Sequence, residues 1–139
     1  MPNVEGPVKS IERALKDAGV SVDEIDYVNA HATSTPVGDS NEAKALTKVF
    51  GISKTPVSST KGMTGHEMWM GGASEVIYSL LMAQNDFIAP NLNFENPDEA
   101  AMNLNIIAKT TGAKINTFLS NSFGFGGTNS TLIVRKWKD

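Results

Sequence analysis

The chain has two histidines, and both stand in polar segments rich in turn-forming residues. His31 opens His31-Ala32-Thr33-Ser34-Thr35-Pro36-Val37-Gly38-Asp39, directly after a short apolar run, and His66 closes Thr60-Lys61-Gly62-Met63-Thr64-Gly65-His66. A histidine near its ordinary pKa can serve as acid, base or neutral N–H donor, and Lys61 can stabilise an anion or orient a water. A single histidine is more often structural than catalytic. Two out of two in candidate site loops, with a lysine between them, shift the reading towards catalysis. Zinc is disfavoured, because no third ligand, no H-x-x-x-H and no cysteine set is present. The segment Gly124-Phe125-Gly126-Gly127-Thr128 can bring backbone N–H groups close to a ligand, as an oxyanion donor would. Its plainer reading is a glycine-rich hairpin, and no Gly-Lys-Ser/Thr follows to make it a nucleotide loop. Met68, Trp69 and Met70 read as helix-spaced core, or as an apolar wall beside His66.

Regular elements must hold these loops. Val8, Ile11, Leu15 and Ala18 share one helical face with Gly19 as its stop, which predicts a helix over 7–18. Ile25 to Ala30 reads as a strand running into the His31 loop. Asp39 followed by Glu42 has the form of a helix cap with its reciprocal partner, ahead of the stripe Ala43, Leu46, Val49 and Phe50. The pattern then repeats. Val57-Ser58-Ser59 reads as a strand, 60–66 as a loop, and Val76, Ile77, Leu80 and Leu81 as the buried face of another helix. Prolines 90 and 97 predict an irregular connection over 89–98. A third apolar run, 117–120, enters the segment 121–129, and 131–134 leaves it as a final strand. Buried strands alternating with helices predict an α/β fold: a mixed, mostly parallel sheet with helices on both faces, closed by an antiparallel pair. Sites in such sheets form beyond the C-terminal ends of the strands, where these polar loops fall.

Composition narrows the partners. The 139 residues suit one domain, 40% hydrophobic and 19% charged residues suit a globular one, and a net charge of −3 without a Lys/Arg run argues against nucleic acid. With Cys 0 the chain has no disulfide and no thiolate nucleophile. No apolar run approaches the ~20 residues of a spanning helix, and the first residues lack signal-peptide character, so a cytoplasmic protein without membrane contact is expected.

Taken together, the three loops 31–39, 60–66 and 120–129 resemble, in order and spacing, the C-terminal half of β-ketoacyl-[acyl-carrier-protein] synthases, the elongating condensing enzymes of fatty-acid synthesis. The resemblance implies a thiolase-like half-domain over 1–139, with the catalytic cysteine in an N-terminal half absent from this chain. It implies a transferase in which an acyl-enzyme and malonyl-carrier protein undergo decarboxylative Claisen condensation. Partners would be that N-terminal half and acyl carrier protein, in a homodimer when complete.

In this resemblance His31 and His66 match the family's active-site histidines, and Lys61 its lysine, tied to a glutamate matched by Glu42. The ion-pair reading of Glu42 competes with the cap reading. Thr33, Thr35, Phe123, Phe125 and Met68 match substrate-binding or gating positions, Phe125 as the gate. Asn29, Glu42, Ser120 and Asn121 match positions that hold a structural monovalent cation in some members. No other cofactor is expected. The chain departs from the family at Ala32, where glycine is usual, a change tolerated if φ is negative there. It departs again at Glu67-Met68-Trp69-Met70, where small residues are usual. Glu67 would favour a helix N-terminus, Met68 would face the acyl channel, and Trp69 would pack into neighbouring helices. Initiating condensing enzymes and plant-type polyketide synthases carry asparagine in place of His66. Polyketide ketosynthases of the modular type share both histidines, and a non-catalytic ketosynthase-like partner subunit is the other alternative.

Overall fold

The computed structural model describes residues 3–51 and 54–137. The amphipathic stripe of the first segment forms helix α1 (Glu5–Ala18), burying Val8, Ile11 and Leu15 and ending where Gly19 takes the left-handed conformation, φ 61°. Strand β1 (Tyr27–Asn29) is buried throughout. Helix α2 (Pro36–Phe50) starts earlier than the predicted cap: Thr35 is the N-cap residue and Pro36 opens the helix. Proline's fixed φ suits a first helical position, so the start falls there and Asp39 and Glu42 lie inside the helix. Strand β2 (Pro56–Ser58) follows, and one turn of helix, α3 (Lys61–Thr64), occupies the predicted 60–66 loop.

A 3-10 turn at Met68–Met70 leads into α4 (Gly71–Gln84). The stretch 89–98 is irregular as expected, but it is flanked by three strands of two residues each, β3 (Phe87–Ile88), β4 (Asn105–Ile106) and β5 (Thr111–Gly112). Strands this short carry no readable alternation. Strands β6 (Thr117–Phe123) and β7 (Asn129–Arg135) complete the chain.

The main sheet has the order β4-β2-β1-β6-β7. β1 pairs parallel with both β2 and β6, β4 pairs parallel with β2, and β7 runs antiparallel to β6, so the predicted mixed, mostly parallel sheet is present. On one face, Ile11, Leu15 and Leu46 of α1 and α2 pack on Val28, Ala30, Val57 and Leu119. On the other, Met82 and Ala83 of α4 pack with Tyr27, Ile88 and Phe118. Because β1, β2 and β6 are parallel, the segments after Asn29, Ser58 and Phe123 all open at one edge of the sheet.

Helix α4 corrects one expectation. Its sheet-facing side is Ser74, Glu75, Ser79, Met82 and Ala83, while Ile77 and Leu81 are 55% and 49% exposed. Of the expected face, Val76 packs against the core, while Ile77, Leu80 and Leu81 turn outward, because small residues let α4 approach the sheet closely and Glu75 reaches a buried partner. Trp69, expected to pack into neighbouring helices, is fully exposed at 102%. No helix among the described residues is long and apolar enough to cross a membrane.

Candidate active site

His31 lies two residues beyond β1, half-buried, with its ring edge-on to that of His66: the centroids are 5.6 Å apart and the planes at 88°. Phe123, at the end of β6, closes the other side of His31 at 5.8 Å. Burial first, then the positive charge of Lys61 and the neighbouring His66, hold the His31 imidazole down at about 4. It is therefore neutral near pH 7, able to offer an N–H but carrying no charge. Its Nδ1 is buried without a hydrogen-bond partner, which leaves Nε2 as the ring atom open to a ligand.

Lys61 opens α3, and its ammonium is ion-paired with the carboxylate of Glu75, both side chains being less than a tenth exposed. This corrects the expected Lys61–Glu42 pair. Glu75 was passed over because it sits within an apolar stretch of α4. The signal that could have found it was a lone charge on the side of that helix opposite Ile77, Leu80 and Leu81. Burial raises the Glu75 carboxyl, and the Lys61 ammonium and His66 work against that rise.

Glu42 has another task. Its Oε1 accepts the backbone N–H of His31 at 2.9 Å and Asn121 Nδ2 at 3.1 Å, and its Oε2 accepts the N–H of Ala32 at 2.8 Å. It thus anchors the His31 turn from behind, buried at 4% exposure. Burial raises its carboxyl, and the backbone N–H groups of Ala32 and His31 oppose that rise. The condition placed on Ala32 fails, since its φ is +26°. Alanine here is held in a region that favours glycine, and the Glu42 carboxylate is what holds it.

The other expected binding residues divide. Thr33 and Thr35 share a hydrogen bond of 3.2 Å between their hydroxyls in the loop after His31. Met68 is exposed beyond His66. Phe125, expected as the gate, is fully exposed at 101% in the turn that Gly126 and Gly127 make at φ 79° and 85°. The phenylalanine against His31 is Phe123.

The expected cation set also divides. Asn29 Oδ1 and Ser120 Oγ are buried with no hydrogen-bond partner, and the two residues are register partners across β1 and β6. Such orphaned oxygens suit a hard monovalent ion. Glu42 and Asn121 do not fit: they bond each other, and Asn121 Oδ1 already accepts the Thr131 hydroxyl at 3.0 Å. Asn29 instead shares its surroundings with Tyr27, whose hydroxyl takes the Asn29 amide N–H, meets Ser58 Oγ at 2.9 Å, and is pushed up to about 12, chiefly by burial. The nearby Glu75 charge adds to that rise.

Two imidazole rings set edge to face, with a buried lysine–glutamate pair near them, could stabilise an anionic, electron-rich intermediate. Comparison with known proteins gives the family. Residues 1–95 match the family described as beta-ketoacyl synthase, C-terminal domain. The 3-oxoacyl-[acyl-carrier-protein] synthase 1 of Escherichia coli (strain K12) is 51% identical over 138 residues, covering 99% of this chain and 33% of that protein. The chain therefore spans about a third of the length of the curated relatives it matches. Among solved structures, the ishigamide ketosynthase/chain length factor superposes with a TM-score of 0.94 at 32% identity, covering 99% of this chain and 34% of the other. A type II PKS acyl-carrier protein in complex with its ketosynthase, AntDE:AntF, gives 0.89 at 31% identity, covering 99% and 35%. The thiolase-like sheet expected from the loops is the one these ketosynthases carry, and with the matched histidine and lysine loops it places this chain in the β-ketoacyl synthase C-terminal domain family.

Proposed function

We propose that this chain is the enolate-stabilising half of a 3-oxoacyl-[acyl-carrier-protein] synthase, an acyltransferase of fatty-acid elongation. The observation that carries the reading is the edge-on pair His31 and His66 beside a buried Lys61–Glu75 pair, in a chain without any thiol. The rest of the protein supplies a cysteine, whose thiolate takes an acyl group from its carrier protein. Malonyl-carrier protein then binds with its thioester carbonyl oxygen against the imidazole N–H groups of His31 and His66. As the bond between the malonyl α-carbon and its carboxylate breaks, carbon dioxide leaves and the electron pair passes into the enolate oxygen. The two N–H groups stabilise that charge without having to give up a proton. The α-carbon attacks the acyl thioester carbonyl, the cysteine thiolate departs, and the 3-oxoacyl product is two carbons longer.

Lys61 adds positive charge near the enolate, and Glu75 keeps that lysine in place. Thr33 and Thr35 line the approach for the carrier's thioester arm, and Phe123 walls the side of His31. A structural monovalent cation would be held by Asn29, Ser120 and the Glu75 carboxylate, where it would satisfy buried oxygens and supply charge balance. The solved AntDE:AntF complex supports a carrier protein as partner, and the setting of fatty-acid synthesis supports a cytoplasmic location; a homodimer of the complete protein belongs to the same reading.

The test is a pair of variants in the complete protein. His31→Ala and His66→Ala should each slow malonyl decarboxylation by about 10²–10³-fold, the scale for losing one oxyanion donor, with acylation of the cysteine affected less. Decarboxylation at the wild-type rate in both would assign the histidines a structural role. The likeness to a ketosynthase/chain length factor favours a second reading, a non-catalytic partner subunit, and in that case the complete protein would lack a reactive cysteine towards acyl thioesters.

A further inference from the structure

Both histidine turns are strained, and only one has been explained. Ala32, after His31, is held at positive φ by Glu42. Glu67, after His66, lies at φ 54° and Met68 at φ 36°, two successive side-chain-bearing residues in the left-handed region. Such residues persist where the surroundings over-determine them. Two contacts do so here. The Tyr78 hydroxyl, two turns along α4, donates a 3.0 Å hydrogen bond to Glu67 Oε1. Gly71 lies so close beneath the turn that a Cβ there would come within 2.7 Å of the His66 carbonyl oxygen. The turn is thus pinned from both ends, at Glu67 by a charge-assisted bond and at His66 by backbone packing.

Helix α4 also carries Glu75, the partner of Lys61, three residues before Tyr78. One rigid helix therefore fixes two members of the site, Lys61 through Glu75 and His66 through Tyr78. We propose that Glu67 and Tyr78 are positioning residues that set the His66 ring against His31 for decarboxylation, doing for the second histidine what Glu42 does for the first. The proposal rests on the reading of His66 as an enolate-stabilising donor. Glu67 holds the turn through its carboxylate, Tyr78 supplies the hydroxyl that fixes that carboxylate, and neither touches the substrate.

Three variants of the complete protein test it: Tyr78→Phe, Glu67→Gly and Glu67→Gln. Tyr78→Phe removes one hydroxyl, and Glu67→Gly removes the clamp while relieving the strain. Both should lower kcat for decarboxylation of malonyl-carrier protein by about 10–100-fold, the scale of an ångström's misplacement of a reacting group, with KM and cysteine acylation near wild type. Glu67→Gln keeps an acceptor for Tyr78 and should restore most of the rate. Glu67→Gly should melt no lower than wild type, which separates positioning from general support of the fold. Wild-type kcat in Glu67→Gly, or a loss in Tyr78→Phe that a lowered melting temperature accounts for, would overturn the proposal. If His66→Ala also decarboxylates normally, the failure lies in the reading of His66; if His66→Ala is slow while the clamp variants are not, it lies in the clamp.

Discussion

The charge of Lys61 depends on Glu75, and each is costly without the other. Both side chains are nearly inaccessible, so removing one leaves a buried group without its counter-charge. Lys61→Met in the complete protein should destabilise the fold by about 3–5 kcal/mol, the scale for breaking a buried pair from one side. Burial already raises the Glu75 carboxyl, and without the lysine it rises further. A raised carboxyl contributes stability that is fully present below its unfolded-state pKa and is lost as pH rises through the folded-state value. The variant's melting temperature should therefore fall from acid towards neutral pH, and adding Glu75→Gln should recover most of the loss. A melting temperature independent of pH would contradict this account. His31 and His66 were legible in the sequence because they are the chain's two histidines and both stand in polar segments after strands, and Lys61 because it shares the second of those segments. Glu75 was not, because a carboxylate in an apolar helix looks like a solvated interruption until its partner is seen. Glu42 was singled out for the wrong partner: backbone N–H groups, which sequence spacing does not display, are what it binds.

Helix α4 shows the same limit on a larger scale. A 3.6-residue period says which side chains share a face and not which face meets the sheet. For α1 the apolar stripe was the buried one; for α4 the buried side mixes Ser74, Glu75 and Ser79 with Met82 and Ala83, and Ile77, Leu80 and Leu81 project outward with Met68, Trp69 and Met70 nearby in sequence. Contiguous exposed apolar surface beyond a few hundred Å² marks an association surface or drives aggregation. The chain on its own should self-associate at micromolar concentration and bind an apolar dye. Lysine at positions 77 and 81 together should abolish both while leaving the helical circular dichroism unchanged. A monodisperse wild-type chain by light scattering, with no dye binding, would show that this face is tolerated in water.

For the molecule as a whole, the sheet and its helices were legible because strand, polar loop and helix recur in the sequence, and the two-residue strands were not because they have no period. The absence of any thiol sets a plain limit on activity. The purified 139-residue chain should form no 3-oxoacyl product from acyl and malonyl thioesters, and steady product formation would exclude an acyl-cysteine mechanism. The strand order has a further meaning for how the protein is made. β1 sits at the centre of the sheet between β2, the next strand in the chain, and the much later β6, and the carboxylate of Asp26 that leads into it waits for the backbone N–H of Thr117, 91 residues later. A ribosome delivers the inner strand well before its second neighbour, with a long loop to close in between. Any polypeptide cut short before residue 117 would hold β1 with one edge bare, an apolar strand offering its unpaired amides to whatever chain came near.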